Sequence, residues 1–169
     1  MATVRHTLFV FLSIAAVAAA TGAQARQGAV HVRGANGAAT AVAGPNGVAG
    51  RARGTTTTSD GTVVHGSTAG FAGVNGSRGA RASTTSVSPD GSVTRTGQAA
   101  TSGARGSASS SGSFTRAADG SLSGSRSTQA TSAATGNSYS GTTSIDPATG
   151  KPVHSGGCTD AAGNSIACR

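Results

Sequence analysis

Residues able to do chemistry are few in this 169-residue sequence, and they stand far apart. Two cysteines, five aspartates with no glutamate, and four histidines are the whole set of redox, acid–base or metal-ligating groups, set among 24 serines. Cys158 and Cys168 lie five residues either side of Gly163, with a turn signal at Gly163-Asn164 between them. That symmetry predicts a hairpin stapled by a disulfide, and closing so short a loop removes about 3 kcal/mol of unfolded-state entropy. The pair lacks the Cys-x-x-Cys spacing and the helix N-terminus that lower a thiol pKa for redox work. A zinc site would need two more ligands, and only His154 is near in sequence.

The aspartates Asp60, Asp90, Asp119, Asp146 and Asp160 all fall at predicted turns, where a carboxylate hydrogen-bonds its own backbone. A calcium-binding repeat would bring several oxygen ligands to each turn, and each turn here offers one carboxylate. His31, His65 and His154 have no Glu-x-x-His or His-x-His neighbour and read as exposed strand residues. There is no Gly-x-Ser-x-Gly elbow for a hydrolase nucleophile and no Walker loop for a nucleotide. The expectation is a protein that is not an enzyme and uses no cofactor.

Charge is the other available chemistry. The chain carries 13 Lys and Arg against five acids, a formal charge of +8, and all but one of its basic residues is Arg. Arg33, Arg51, Arg53, Arg78, Arg81, Arg95, Arg105, Arg116 and Arg126 are dispersed, several followed by Gly as in Arg-Gly segments that bind single-stranded nucleic acid. The aromatics that such segments interleave for base stacking are missing, so no specific nucleic acid is expected. Dispersed Arg would still attract anionic surface polymers such as lipopolysaccharide, wall polymers or extracellular DNA through counterion release.

Residues 1–25 read as a secretory signal peptide: a basic start at Arg5, an apolar run from Leu8 to Ala20, and the small-x-small exit Ala23-Gln24-Ala25. Cleavage between Ala25 and Arg26 would follow. The apolar run is about 13 residues, short of the roughly 20 a spanning helix needs, and no second one follows, so no membrane span is expected after cleavage. The preference for Arg over Lys and the lack of Glu suggest a GC-rich bacterial source, hence a destination in the periplasm, at the cell surface or in the medium.

The elements that must position these groups are unusual. Ala, Gly, Ser and Thr fill 107 positions, while Val, Ile, Leu, Phe and Tyr number 16 after Ala25. A compact two-layer globule is improbable on that composition, because ordering a residue costs about 1.5 kcal/mol and few side chains here repay it by burial. A disordered chain and a repetitive β array held by ladder hydrogen bonds are the two outcomes left.

Spacing favours the array. Asn46-Gly47, Asp60-Gly61, Asn75-Gly76, Asp90-Gly91, Arg105-Gly106, Asp119-Gly120, Thr135-Gly136, Thr149-Gly150 and Gly163-Asn164 recur about every 14 to 16 residues, and Asn-Gly and Asp-Gly are the strongest short hairpin signals. Two strands per unit make a repeat of about 29 residues. In Ser88-Pro89-Asp90-Gly91, Pro sets φ for a type I turn and Gly supplies the left-handed residue of a three-residue loop, which places Val87 opposite Val93. Thr55–Thr58, Thr84–Val87 and Thr142–Ile145 are β-branched runs that end at such turns. Asp146–Lys151 and Asp160–Asn164 resemble the turns of the YD-repeat wall and toxin-shell proteins over about a dozen residues, a resemblance that brings no functional residue with it.

The sequence therefore predicts an all-β protein, a repetitive antiparallel meander or solenoid-like array of short Gly/Ser/Thr/Ala-rich strands following an N-terminal signal helix. A largely disordered low-complexity chain is the alternative. Residues 26–54 read as poorly ordered, 55–157 as the hairpin repeat region and 158–169 as the disulfide-closed hairpin. Function reads as a secreted, non-enzymatic repeat protein with a structural or surface-interaction role. Binding of anionic polymers by a disordered cationic chain, and self-association into a β fibre, are the alternatives.

Overall fold

The computed structural model describes residues 27–168. The expected signal peptide, its helix and the Ala25/Arg26 cleavage point lie outside the described residues. Within them the chain is all-β: eleven strands form one open antiparallel sheet in sequence order, each bonded to the next. They are β1 (Gly28–Gly34), β2 (Gly37–Gly44), β3 (Gly47–Thr57), β4 (Val63–Gly73), β5 (Arg78–Val87), β6 (Val93–Gly103), β7 (Gly106–Arg116), β8 (Leu122–Ser132), β9 (Ser138–Ile145), β10 (Pro152–Thr159) and β11 (Ser165–Ile166). The array is an open meander, and it is the ordered outcome of the two that composition left open.

Turn chemistry sets the register. At Pro89-Asp90-Gly91 the Gly91 N–H bonds the Ser88 carbonyl at 3.0 Å and the Ser88 N–H bonds the Ser92 carbonyl at 2.9 Å, closing a three-residue loop in which Gly91 has φ +85°. A left-handed φ at that position is what Gly supplies without steric cost. Val87 pairs with Val93 across it. The loops at Asp60 and Asp119 repeat the same two backbone bonds, so three hairpins are copies of one device.

Residues 26–54, expected to be poorly ordered, carry β1, β2 and most of β3 instead. The hairpin that starts this part turns at Ala35-Asn36, with Gly34 opposite Gly37. Alanine and glycine strands have little β-propensity of their own. They are held here because each is paired along its full length, Gly28–Gly34 with Gly37–Ala43 and Gly37–Gly44 with Gly47–Gly54.

At the other end Cys158 and Cys168 form a disulfide with Cα atoms 5.3 Å apart. The register differs in one detail from the symmetry about Gly163. Cys158 pairs with Ile166, so the loop is centred on Ala162 and the disulfide runs diagonally past the end of β11. The loop uses the same three-residue closure, with the Asp160 N–H on the Asn164 carbonyl at 2.9 Å.

A single sheet has two faces and no interior. Among the described residues no hydrophobic side chain is buried; Val30 and Val32 are 63% and 60% exposed. Continuous pairing without a bulge keeps one face in phase across the sheet, so the paired residues assign every strand position to a side.

Candidate anion-binding face

Of the eight arginines within strands, seven share one face: Arg33, Arg51, Arg53, Arg81, Arg95, Arg116 and Arg126. One cross-strand row contains Arg33, Ala38, Arg53, Ser67, Ser83, Gly97, Gly112, Arg126, Thr143 and His154. The row two residues along contains His31, Thr40, Arg51, Ala69 and Arg81. Arg33 and Arg53, like Arg51 and Arg81, are thus two strands apart, about 9.6 Å at the usual strand spacing. Arg78 is the strand arginine on the opposite face, where its Nε donates to Ser102 at 3.1 Å, and Arg105 lies in a turn.

Among the described residues no carboxylate shares this basic face. All five aspartates occupy hairpin loops at the sheet's margins, Asp60, Asp90, Asp119 and Asp146 along one margin and Asp160 on the other. Each is engaged locally: the backbone N–H two residues on donates to Asp60 at 3.2 Å, to Asp90, Asp119, Asp146 and Asp160 at 2.9 Å. Hydrogen bonding holds every one of these carboxyls below the usual carboxylate range. The largest contribution comes from the Thr58 hydroxyl for Asp60, the Ser92 N–H for Asp90, the Ser121 hydroxyl for Asp119, the Ala148 N–H for Asp146 and the Asn164 side chain for Asp160.

Phe71, Phe114 and Tyr139 also stand on the basic face, and each lies over glycine. A Cβ at Gly79, opposite Phe71, would meet that ring at 2.6 Å, and one at Gly124, opposite Phe114, would meet its ring at 2.8 Å. Tyr139 covers Gly141 and Gly156, and Gly141 is the one buried residue among those described. Glycine leaves the space and the aromatic ring shields the bare backbone, a pairing that pins sheet register.

Between Phe114 and the middle of the sheet runs a groove lined by Arg81, Arg95, Arg126, Ser67 and Ser83, with Gly97 and Gly112 in its floor. Arg95 is directly opposite Phe114. Arg126 is held by its Nε, which donates to the Ser110 hydroxyl at 2.7 Å, and Ser110 in turn meets Thr128 at 3.0 Å. This leaves the outer guanidinium nitrogens free for a bidentate bond to a phosphate, sulfate or carboxylate. His31, His65 and His154 belong to the same surface. His31 meets Thr40 at 2.8 Å, His65 meets Thr55 at 2.9 Å, and His154 lies 3.1 Å from both Tyr139 Oη and Thr143.

Along the sequence these arginines are dispersed, and the strand phase collects them. Their segregation was visible in principle by counting each strand outward from its turn in steps of two. Cys158 lies on this side of β10 as well, at the sheet's end. Its disulfide suits an oxidising compartment, periplasmic or extracellular. No family model matches the chain, and no curated protein or solved structure matches it either.

Proposed function

We propose that this is an exported, non-enzymatic repeat protein whose extended sheet lays one arginine-bearing face against an anionic polymer at the cell surface, a phosphate- or sulfate-bearing glycan in particular. The observation that carries the reading is the segregation of seven strand arginines onto a face without a carboxylate. A face about 50 Å across ten strands suits a long ligand with regularly repeated charge better than a small molecule. Export rests on the leader-like residues 1–25 and on the disulfide, which an oxidising compartment maintains. Few amides and only three aromatics stand beside the arginines, so affinity should come from counterion release with little reading of polymer sequence.

The test is retention on heparin and on lipopolysaccharide between about 50 and 300 mM salt, across which screening shortens appreciably. Removing Arg51, Arg81 and Arg126 together as serines should reduce the slope of log affinity against log salt by about two to three, close to one per lost contact. Removing Arg78 and Arg105 in the same way should change it little. Equal losses from both variants would show that total charge, and not this face, does the binding; retention unchanged up to 300 mM would refute the electrostatic account.

A further inference from the structure

The opposite face of the sheet has a different problem to solve. Its central row reads Val30, Ala41, Gly50, Gly70, Ala80 and Ala100 across β1 to β6. The same row continues as Ser109, Gln129 and Ser140 across β7 to β9. Around that row β1 to β4 and Ala80 and Ala82 of β5 present an apolar, small-residue surface, whereas β6 places Thr94, Thr96, Gln98 and Ser102 about Ala100 and leads into the hydroxyl surface of the remaining strands. The apolar part forms a shallow concavity that runs from Val30 and Val32 to Ala72 and Ala80. A lone sheet exposes such a surface to water, whereas stable architectures cover it with a second layer.

We infer that the second layer is another copy of this chain, packed apolar face to apolar face across β1–β5. Three features select that occupant. The area suits it: five strands at about 4.8 Å by some seven residues at about 3.4 Å give roughly 570 Å² per copy, or about 1,100 Å² in all, above the roughly 1,000 Å² that a specific interface should clear. Charge suits it, because among the described strand residues Arg78 at the patch margin is the single ionised side chain on this face, so two highly cationic chains can meet here with both arginine faces turned outward. Shape suits it, since alanine and glycine rows let two sheets approach closely and interdigitate, and in an isologous pair each copy offers the same rows. The pair would be a two-layer sandwich with a basic surface on each side, able to bridge two polymer strands.

Sedimentation of the oxidised exported protein at micromolar concentration reads the mass directly, and twice the chain mass is expected. Ala80 and Ala99 are both exposed in the single chain and lie on opposite faces of adjacent strands. In Ala80→Cys the thiol should react with a maleimide at least tenfold more slowly than in Ala99→Cys, and should recover on dilution as the pair dissociates. A particle of single-chain mass with a β circular-dichroism spectrum overturns the inference. So does an associated particle in which the two thiols react equally fast, or transfer of the single chain onto phosphatidylcholine vesicles, which would make lipid the covering layer. Heparin retention is read on the other face, so its failure leaves these outcomes intact, and theirs leaves it intact.

Discussion

Gly112 lies directly opposite Arg126 on the basic face, and a methyl group added at Gly112 would stand 2.8 Å from the Arg126 Cβ and 2.5 Å from the Ser125 carbonyl oxygen. The glycine is what lets β7 and β8 close up while Arg126 reaches Ser110. Gly112→Ala should therefore destabilise the sheet by about 1–3 kcal/mol, the usual cost of overpacking, and should loosen Arg126. Gly97→Ala, one strand over in the same row, would meet Ser83 and Ala82 at 3.9 and 3.8 Å, ordinary contact distances. It should leave the thermal midpoint nearly unchanged. Comparable losses from the two variants in thermal melts would sink the argument.

Two kinds of positive-φ glycine should respond differently to alanine. Gly91 has φ +85° with nothing within 4 Å of an added Cβ, so Gly91→Ala meets backbone strain alone, about 1–2 kcal/mol. Gly106 has φ +134°, and its Cβ would fall 2.0 Å from the Thr131 carbonyl oxygen. Gly106→Ala should cost several times as much and disturb the β7–β8 pairing, whereas Gly91→Ala leaves the fold intact. Denaturant midpoints with circular dichroism would rank them, and the reverse order would refute the distinction.

How much of this could be read from residues alone depends on where the physics is local. The loop at Ser88-Pro89-Asp90-Gly91 and the Val87–Val93 pair follow from φ preferences within a few residues, and the turn beat carried the strand order with them. The order of β1 and β2 was not legible. Ala38, Ala39, Ala41 and Ala43 contribute no propensity, and the Asn36-Gly37 pair that starts the hairpin lies outside the beat. The basic face was not legible from composition either, because Arg33, Arg53 and Arg126 meet in one row only once eight strands are in register. Long-range alignment adds up from many turns, and no single motif announces it.

Reduction of the Cys158–Cys168 bond should act locally. It links positions 10 apart at the sheet's end, where β11 pairs with β10 through two residues only. Its loss restores roughly 3 kcal/mol of unfolded-chain entropy to that hairpin. Hydrogen exchange on the reduced protein should show lost protection over Ser165 and Ile166 and along the outer edge of β10, with β4 to β7 unchanged. Loss of protection throughout the sheet would show that the disulfide anchors the whole array.

Acid should open the turns before it opens the strands. Asp60, Asp90, Asp119, Asp146 and Asp160 all have carboxyls held below the usual range in the folded chain by turn hydrogen bonds, with the Thr58 hydroxyl, Ser92 N–H, Ser121 hydroxyl, Ala148 N–H and Asn164 side chain the respective main causes. A depressed folded-state pKa means that folding favours the ionised form. The stabilisation is therefore complete above the unfolded value near 3.9 and is lost as the pH falls through the lower folded values. The thermal midpoint should be flat with respect to these groups from pH 7 to about 5 and should drop below about pH 4. Replacing Asp60, Asp90 and Asp119 together by Asn keeps an acceptor for the turn N–H but removes the titration, so the triple variant should lose less stability between about pH 5 and 2 than the parent does. Melts recorded across that range decide the matter: an unaltered acid drop in the triple variant would assign it to groups other than these turns.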